Sequence, residues 1–260
     1  MADYSVKIPA IPIPGGSPWP RFPVQWLGLL IGCWLLIGLV CLPGCRAWAA
    51  AIVIDPGHGG SDGGAAQGRD FAEKHFTLML GRQIADHLGS KHQVTLTRTS
   101  DIRLAPEDRA AVANHVKADL LVSIHAAVSP LCNQRQASLY VHHDERLAYG
   151  NEMTLQGVPT ELESPETPWF RLQMRHRHQS RQIAVLIKQS LEQSPSFDEA
   201  TLSDVPLVAL MGADMPALLI EVGCIQPSAP SNPEAREKQI TAYALAIARA
   251  IQTAMKEIQR

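Results

Sequence analysis

From residue 51 onward, short apolar runs rich in β-branched residues alternate with longer segments of helical period. We interpret the apolar runs as buried strands and the periodic segments as the helices that cover them. The predicted strands are Ala51–Asp55, Gln93–Arg98, Leu120–His125, Leu139–His142, Leu207–Leu210 and Ala217–Glu221. The predicted helices are Phe71–Ser90, Pro106–Lys117, Gln173–Ser194 and Pro233–Ile258. This alternation predicts an α/β fold, a single domain with a mostly parallel central sheet covered by helices on both faces.

The first 50 residues differ in kind from the rest of the chain. They contain one acidic and three basic residues, and the 19 residues from Val24 to Leu42 carry no charge, with Gln25 as their one polar side chain. A helix of that length spans about 28 Å, close to the thickness of a bilayer core. The run is apolar on every face, which is not typical of a helix that packs one stripe onto a soluble core. We therefore predict that residues 1–50 are a signal peptide or N-terminal membrane anchor and that residues 51–260 form one exported domain.

Three interpretations of this N-terminal segment stay open. Ala47-Trp48-Ala49 is a small-x-small signal that favours a cleaved signal peptide. Leu42-Pro43-Gly44-Cys45 resembles a lipoprotein signal, and an uncleaved membrane anchor is the third alternative. The predicted strand start at Ala51 favours cleavage, because an uncleaved anchor would leave no linker between the domain and the membrane. Each interpretation exports the domain, so we expect a periplasmic or cell-wall location, with membrane contact where an anchor or lipid is retained.

The charge balance and the cysteine count exclude two classes of protein. The formal net charge is −2 for the whole chain and −4 for residues 51–260, which have 20 basic and 24 acidic residues. Such a chain does not bind nucleic acid through bulk positive charge, and we expect no nucleic-acid partner. Five cysteines in 260 residues are too few for a disulfide scaffold. Two of them, Cys132 and Cys224, remain in the exported part, as a disulfide or as two free thiols.

Four polar residues that suit metal chemistry come at or just after the ends of predicted elements. His58 follows the first strand, His125 and Glu221 end their own strands, and Glu73 opens the first helix. In open α/β sheets the ligand crevice lies outside the carboxyl ends of the strands, so we expect these side chains to converge. Catalytic zinc takes three nitrogen or oxygen ligands from the protein, and a further carboxylate can serve as general base and acid. The glycine-rich segment around His58 lacks both phosphate-binding glycine motifs, which disfavours a phosphate site.

Six segments of the exported part resemble one enzyme family. They are Ile54–Ala65 (I-D-P-G-H-G-G-S-D-G-G-A), Glu73-Lys74, Leu96–Asp101, Arg109–Asn114, Ala118–Ala126 and Met215–Gly223. In content and in order they resemble the zinc-dependent N-acetylmuramoyl-L-alanine amidases of the cell wall. One such segment would be weak support, but six in order are strong.

The resemblance implies a zinc hydrolase that cleaves the amide bond between N-acetylmuramic acid and L-alanine in peptidoglycan. It implies His58, Glu73 and His125 as the Zn²⁺ ligands and Glu221 as the catalytic carboxylate. Zn²⁺ is then the one cofactor expected, peptidoglycan is the substrate, and a protein activator is a candidate partner.

Two positions depart from the family pattern. Ala127 stands where the family usually has Asn, and Cys224 stands where it usually has an aromatic residue. These changes favour an alternative, a catalytically weak homologue that binds peptidoglycan or a regulatory partner. An unrelated metallohydrolase, such as a carboxypeptidase or deacetylase, is a third alternative.

The remaining polar residues and one irregular segment have weaker interpretations. We expect Arg98, Asp101, Arg109 and Asn114, which match family positions, to support loops rather than to contact substrate. His142 and His143 end a short strand and are candidates to line the site. The basic run around His176 is read as a solvated helix face, with contact to anionic wall polymer as the alternative. Residues 144–170 have no period and several prolines, so we expect an insertion or a cover segment near the site.

Overall fold

The computed structural model describes residues 49–67, 71–127, 135–143, 169–224 and 232–258. The predicted signal or anchor segment, with its uncharged run at 24–42, lies outside the described residues except for its last two positions. Most of the predicted cover segment, 144–168, also lies outside them, so both interpretations stay predictions. Within the described part of the chain, no helix has the length and apolar character needed to cross a membrane.

Six strands form the central sheet, and four of them run in parallel. The strands of the structure are β1 (Ala51–Pro56), β2 (Ala66–Gln67), β3 (Phe71–Ala72), β4 (Gln93–Leu96), β5 (Leu120–Ala127), β6 (Gln136–His142), β7 (Glu199–Val205) and β8 (Ala217–Cys224). The sheet order is β4-β1-β5-β8-β6-β7, and a separate two-stranded sheet pairs β2 with β3. β8 pairs in parallel with β5 and antiparallel with β6, while β6 and β7 are parallel to each other. The prediction of a mostly parallel sheet is therefore confirmed.

Helices cover both faces of this sheet. The α-helices are α1 (Glu73–Leu88), α2 (Pro106–His115), α3 (Leu172–Arg175), α4 (Arg177–Glu192) and α5 (Pro233–Ile258). The larger core joins α1, α4 and α5 to one face of the sheet, which Ile52 and Ile54 of β1 help to form. The smaller core joins α2 to the opposite face, where Val53 of β1 lies. Strand residues thus alternate between the two cores, because successive side chains of a strand point to opposite faces.

Helix α1 packs on the sheet through the apolar stripe that its sequence predicts. Phe76, Leu80, Ile84 and Leu88, the predicted apolar stripe, are all buried in the larger core. Full burial of a Leu or Ile side chain stabilises a fold by about 1.5–3 kcal/mol. The stripe therefore holds α1 against β1 and fixes the amino end of the helix, where Glu73 lies, near the carboxyl end of that strand.

Two predicted elements are wrong. The strand predicted at Leu207–Leu210 is a short 3₁₀ turn, Val208–Leu210, that packs in the smaller core. The edge strand is instead β7, which the sequence did not reveal because only Ala200 and Leu202 of its residues join the larger core. The single predicted helix at 173–194 is two helices, with His176 between them at φ −98° and ψ 0°.

Candidate active site

The register of two parallel strands places His125 beside Glu221. The two residues are paired partners in β5 and β8, and parallel neighbours lie about 4.8 Å apart. Ile124 and Ile220, one position earlier in each strand, face the larger core. The alternation of a strand therefore turns His125 and Glu221 together to the opposite face, at the carboxyl end of the sheet.

The loop after β1 folds over His125. The backbone N–H of Gly57 donates to the carbonyl of Ile124 at 2.9 Å, which fastens the start of the loop to β5. A Cβ atom on Gly57 would lie 2.5 Å from the imidazole of His125, so only glycine permits this approach. His58 follows with φ 62°, in the left-handed region that few non-glycine residues adopt. This turn directs the imidazole of His58 back toward the strand ends.

His58, Glu73 and His125 converge on one point. His58 Nε2 lies 3.2 Å from Glu73 Oε2, and His125 Nδ1 lies 3.1 Å from Glu73 Oε1. The candidate ligand atoms of the three residues all lie within 4.8 Å of one another. The side chain of Glu73 is only 5% exposed, while those of His58 and His125 are 21% and 22% exposed. The group is therefore held by the protein and open toward solvent on one side.

The donor set of this group suits zinc. Two imidazole nitrogens and one carboxylate oxygen make up a known ligand set of catalytic zinc sites, which keep a fourth position open. Two ligands bound tetrahedrally at about 2.0–2.1 Å lie about 3.3 Å apart, close to both His–Glu separations. The residues present therefore fit a Zn²⁺ ion. Glu221 lies outside the group of three.

Both carboxylate oxygens of Glu73 accept hydrogen bonds from the backbone. Oε2 accepts the N–H of Ala65 at 2.9 Å, and Oε1 accepts the N–H of Ala126 at 3.0 Å. Burial alone would raise the pKa of Glu73, but its hydrogen bonds with His125, His58 and these two N–H groups outweigh burial and hold that pKa far below its ordinary value. The low pKa favours the ionised form of Glu73 and makes this carboxylate a weak base.

Asp62 orients His58 and was missed by the sequence analysis. His58 Nδ1 lies 2.9 and 3.0 Å from the two carboxylate oxygens of Asp62, and the N–H of Gly64 donates to the same carboxylate at 3.1 Å. With its proton on Nδ1, His58 directs the lone pair of Nε2 at the centre of the group. Carboxylates commonly orient zinc-ligating histidines in this way. The signal available in the sequence was the four-residue spacing between His58 and Asp62 within one glycine-rich loop.

Tyr140 contacts Glu221 and was also missed. The Tyr140 hydroxyl donates to Glu221 Oε2 at 3.1 Å.

His142, which was expected to line the site, lies elsewhere. Because β6 runs antiparallel to β8, Ser138 and not His142 pairs with Glu221, and His142 lies toward the amino end of β8. There its Nδ1 accepts the N–H of Leu207 at 2.9 Å.

Comparison with known proteins decides the family. Residues 52–254 match the family model described as N-acetylmuramoyl-L-alanine amidase, which is most of the chain. The chain belongs to the N-acetylmuramoyl-L-alanine amidase family. It is 27% identical over 207 residues to N-acetylmuramoyl-L-alanine amidase AmiC of Neisseria meningitidis serogroup B, covering 72% of this chain and 47% of that protein. It is 33% identical over 135 residues to the germination-specific N-acetylmuramoyl-L-alanine amidase of Bacillus subtilis, covering 42% of this chain and 56% of that protein. The chain thus spans about half the length of these curated relatives.

Solved structures of amidases share the fold. The N-acetylmuramoyl-L-alanine amidase of Clostridium difficile 630 superposes with a TM-score of 0.58 at 24% identity, covering 80% of this chain and 97% of that one. The amidase AmiC2 of Nostoc punctiforme superposes with a TM-score of 0.54 at 25% identity, covering 81% of this chain and 98% of that one. These neighbours confirm the α/β architecture.

The two departures from the amidase family pattern are neighbours in space. Ala127 and Cys224 are register partners at the ends of β5 and β8, just after a register shift that follows His125. Cys132, the other cysteine of residues 51–260, lies outside the described residues, so its pairing with Cys224 stays open.

Two buried arginines support the loop that carries His58. Arg98 donates to the carbonyls of Pro56 and Gly57, both at 2.8 Å. Arg109 donates to Asp55 Oδ1 at 2.6 Å and to the carbonyl of His58 at 2.9 Å. These contacts agree with the expectation that the arginines hold loops.

Asp101 and Asn114 also fasten backbone segments. Asp101 accepts the N–H of Gly60 and the ammonium of Lys74, both at 2.7 Å, which ties the His58 loop to α1. Asn114 donates to the carbonyl of Gly212 at 2.8 Å and accepts the N–H of Asp214 at 2.9 Å, which anchors the segment before β8. The basic run near His176 is charge-paired, since Arg175 and His176 both contact Asp214.

Proposed function

We propose that this chain is a zinc-dependent amidase that hydrolyses the bond between N-acetylmuramic acid and L-alanine in peptidoglycan. His58, Glu73 and His125 are the proposed ligands, and Glu221 is the proposed general base and acid. The observation that carries the proposal is the register pairing of His125 with Glu221, which sets a second carboxylate beside a three-ligand group in a member of the amidase family.

The carboxylates of Glu73 and Glu221 have different hydrogen-bond partners, and we assign their roles from this difference. Each oxygen of Glu73 accepts one backbone N–H and keeps one lone pair that faces an imidazole, in the direction of a bound metal ion. Glu221 lies outside this group, and its Oε2 accepts from the hydroxyl of Tyr140. Glu73 therefore suits ligation, and Glu221 suits proton transfer.

A Zn²⁺ ion held by His58, Glu73 and His125 would supply Lewis-acid polarisation of the substrate carbonyl and a lowered pKa for the attacking water. The carboxylate of Glu221 takes the proton of that water at an Oε atom. The same carboxylate then gives the proton to the nitrogen of L-alanine as the amide bond breaks, which releases an amine rather than an unstable amide anion. General acid–base catalysis of this kind contributes about 10²–10⁴-fold to the rate.

The partners and location follow from the substrate. We propose that residues 51–260 act outside the cytoplasm, on peptidoglycan, after export by the N-terminal segment. A protein partner is supported by one structural neighbour, the CwlD amidase of Clostridioides difficile, whose structure was solved in complex with the GerS lipoprotein. We propose that this chain also binds a protein partner and that this partner is an activator.

Digestion of purified peptidoglycan by the zinc-loaded protein tests the proposal. Mass spectrometry should detect free stem peptides that begin with L-alanine, and the Glu221→Gln variant should release none. Bound zinc without any release would support the catalytically weak homologue instead. Loss of acetyl groups or of terminal D-alanine would identify a different hydrolase.

A further inference from the structure

We propose that Tyr140 is the positioning residue of Glu221, which it reaches from the strand that runs antiparallel to β8. This inference rests on the proposed function, because it assigns a partner to the proposed general base. It adds a residue of β6 to a site that otherwise draws on the loop after β1 and on α1, β5 and β8.

The strand register places side chains of four strands in one row. His125 pairs with Glu221, Glu221 pairs with Ser138, and Ser138 pairs with Thr201, so one row of side chains crosses four strands. Cross-strand partners share a face of the sheet, and this row lies on the face of the candidate metal ligands. Tyr140 is two residues after Ser138 in β6 and therefore lies on that face as well.

Two hydrogen bonds join hydroxyls of this face to their neighbours across the strands. Thr201 Oγ1 donates to Ser138 Oγ at 3.2 Å, and the Tyr140 hydroxyl donates to Glu221 Oε2 at 3.1 Å. Each of these residues is half-buried. The contact between Tyr140 and Glu221 is thus partly shielded from water, which strengthens a hydrogen bond to a carboxylate.

The environment of Tyr140 keeps it a donor. Burial and the negative charge of Glu221 both raise the pKa of the phenol above its ordinary value, so the hydroxyl retains its proton throughout the working range of an enzyme. A permanent donor on Oε2 restricts the rotation of the carboxylate and leaves Oε1 to receive the proton of the attacking water. Tyr140 therefore acts on the turnover step and not on substrate binding.

The Tyr140→Phe variant tests this assignment, because it removes one oxygen and keeps the ring. We expect kcat on a soluble muramoyl peptide to fall about 10–100-fold, a loss of the size seen when the hydrogen-bond partner of an active-site group is removed. KM should stay within about twofold, since an effect confined to turnover leaves ground-state binding unchanged. Zinc affinity, measured by competition with a chelator, should equal that of the wild type.

Tyr243→Phe is the matched control. Tyr243 is a buried tyrosine of α5 that accepts from Gln239 at 2.7 Å and stacks on Phe197, away from the site. This variant should keep the wild-type kcat. Equal losses in the two variants, or an unchanged kcat in Tyr140→Phe, would overturn the proposal.

A titration of tyrosine absorbance in the ultraviolet separates failure of this inference from failure of the proposed function. The difference between wild type and Tyr140→Phe isolates Tyr140, whose pKa should fall when Glu221→Gln removes the neighbouring charge. An unchanged pKa would show that the two side chains are not in contact and would overturn the inference. A wild-type protein that releases no stem peptide would instead refute the proposed function, whatever the titration shows.

Discussion

His125 and Glu221 face each other in register across β5 and β8, so one strand pair places a candidate metal ligand beside the proposed general base. A one-residue slip of either strand would turn its side chain to the opposite face of the sheet. The burial of Ile124 and Ile220 in the larger core opposes such a slip, and the core packing thereby fixes the geometry of the site.

Gly57 is predicted to be irreplaceable because of His125. In Gly57→Ala the new Cβ would lie 2.5 Å from the imidazole ring, and overpacking of this kind costs about 1–3 kcal/mol. We expect zinc affinity to fall about 10-fold or more as His125 is displaced. Gly63→Ala is the matched control, since its Cβ would meet only Ala72 at 3.8 Å. Equal zinc affinity of the two variants in a chelator competition would contradict the prediction.

Asp62 is predicted to set zinc affinity through His58. Asp62→Asn weakens the hydrogen bond that fixes the tautomer of His58. Loss of a carboxylate that orients a zinc-ligating histidine typically lowers zinc affinity about 10–100-fold. The exposed Asp86 of α1 provides a control substitution with the same charge change, Asp86→Asn. Isothermal titration calorimetry with zinc would reveal the difference, and matching affinities would rule out the orienting role.

Zinc binding is predicted to release a proton from His58. The hydrogen bond with Glu73 raises the pKa of His58 above its ordinary value of 6.5. A raised pKa means that protonated His58 stabilises the fold below that ordinary value, and this stabilisation is lost as pH rises through the folded-state pKa. Zinc needs the neutral imidazole, so affinity should increase with pH until His58 has lost its proton. Calorimetry in buffers of different ionisation enthalpy counts the protons, and a buffer-independent heat would disprove the coupling.

The buried ion pair of Arg109 with Asp55 is predicted to stabilise the fold. Arg109→Met leaves the nearly fully buried charge of Asp55 without its cation, which typically costs about 3–5 kcal/mol. Arg175→Met breaks an exposed pair with Asp214, whose side chains are 51% and 47% exposed, and should cost at most about 1 kcal/mol. Denaturant unfolding of both variants gives the two free energies. A loss below about 1 kcal/mol for Arg109→Met would contradict the supporting role.

The sequence was sufficient for the parts of the fold that local chemistry determines. The apolar, β-branched runs of β1, β5 and β8 revealed the parallel core, and polar residues at their ends indicated where a site would form. Family resemblance added the roles of Glu73 and Glu221, which no local pattern assigns.

The parts that were missed depend on long-range pairing. Strand direction is set by the whole sheet, so the sequence could not show that β6 runs antiparallel and presents Tyr140, not His142, to Glu221. The edge strand β7 lacks a continuous apolar run, because much of its surface does not join the core. The orienting contact of Asp62 required the left-handed turn at His58, which is not an expected conformation for histidine.

The most direct test compares zinc content and turnover in Glu221→Gln and Glu73→Gln side by side. Both substitutions replace a carboxylate with an amide of the same shape, one outside the three-ligand group and one inside it. We predict that Glu221→Gln binds one zinc ion per chain with wild-type affinity and releases no stem peptide, while Glu73→Gln loses zinc affinity as well. Release of stem peptide by Glu221→Gln, or undiminished zinc affinity in Glu73→Gln, would contradict this prediction.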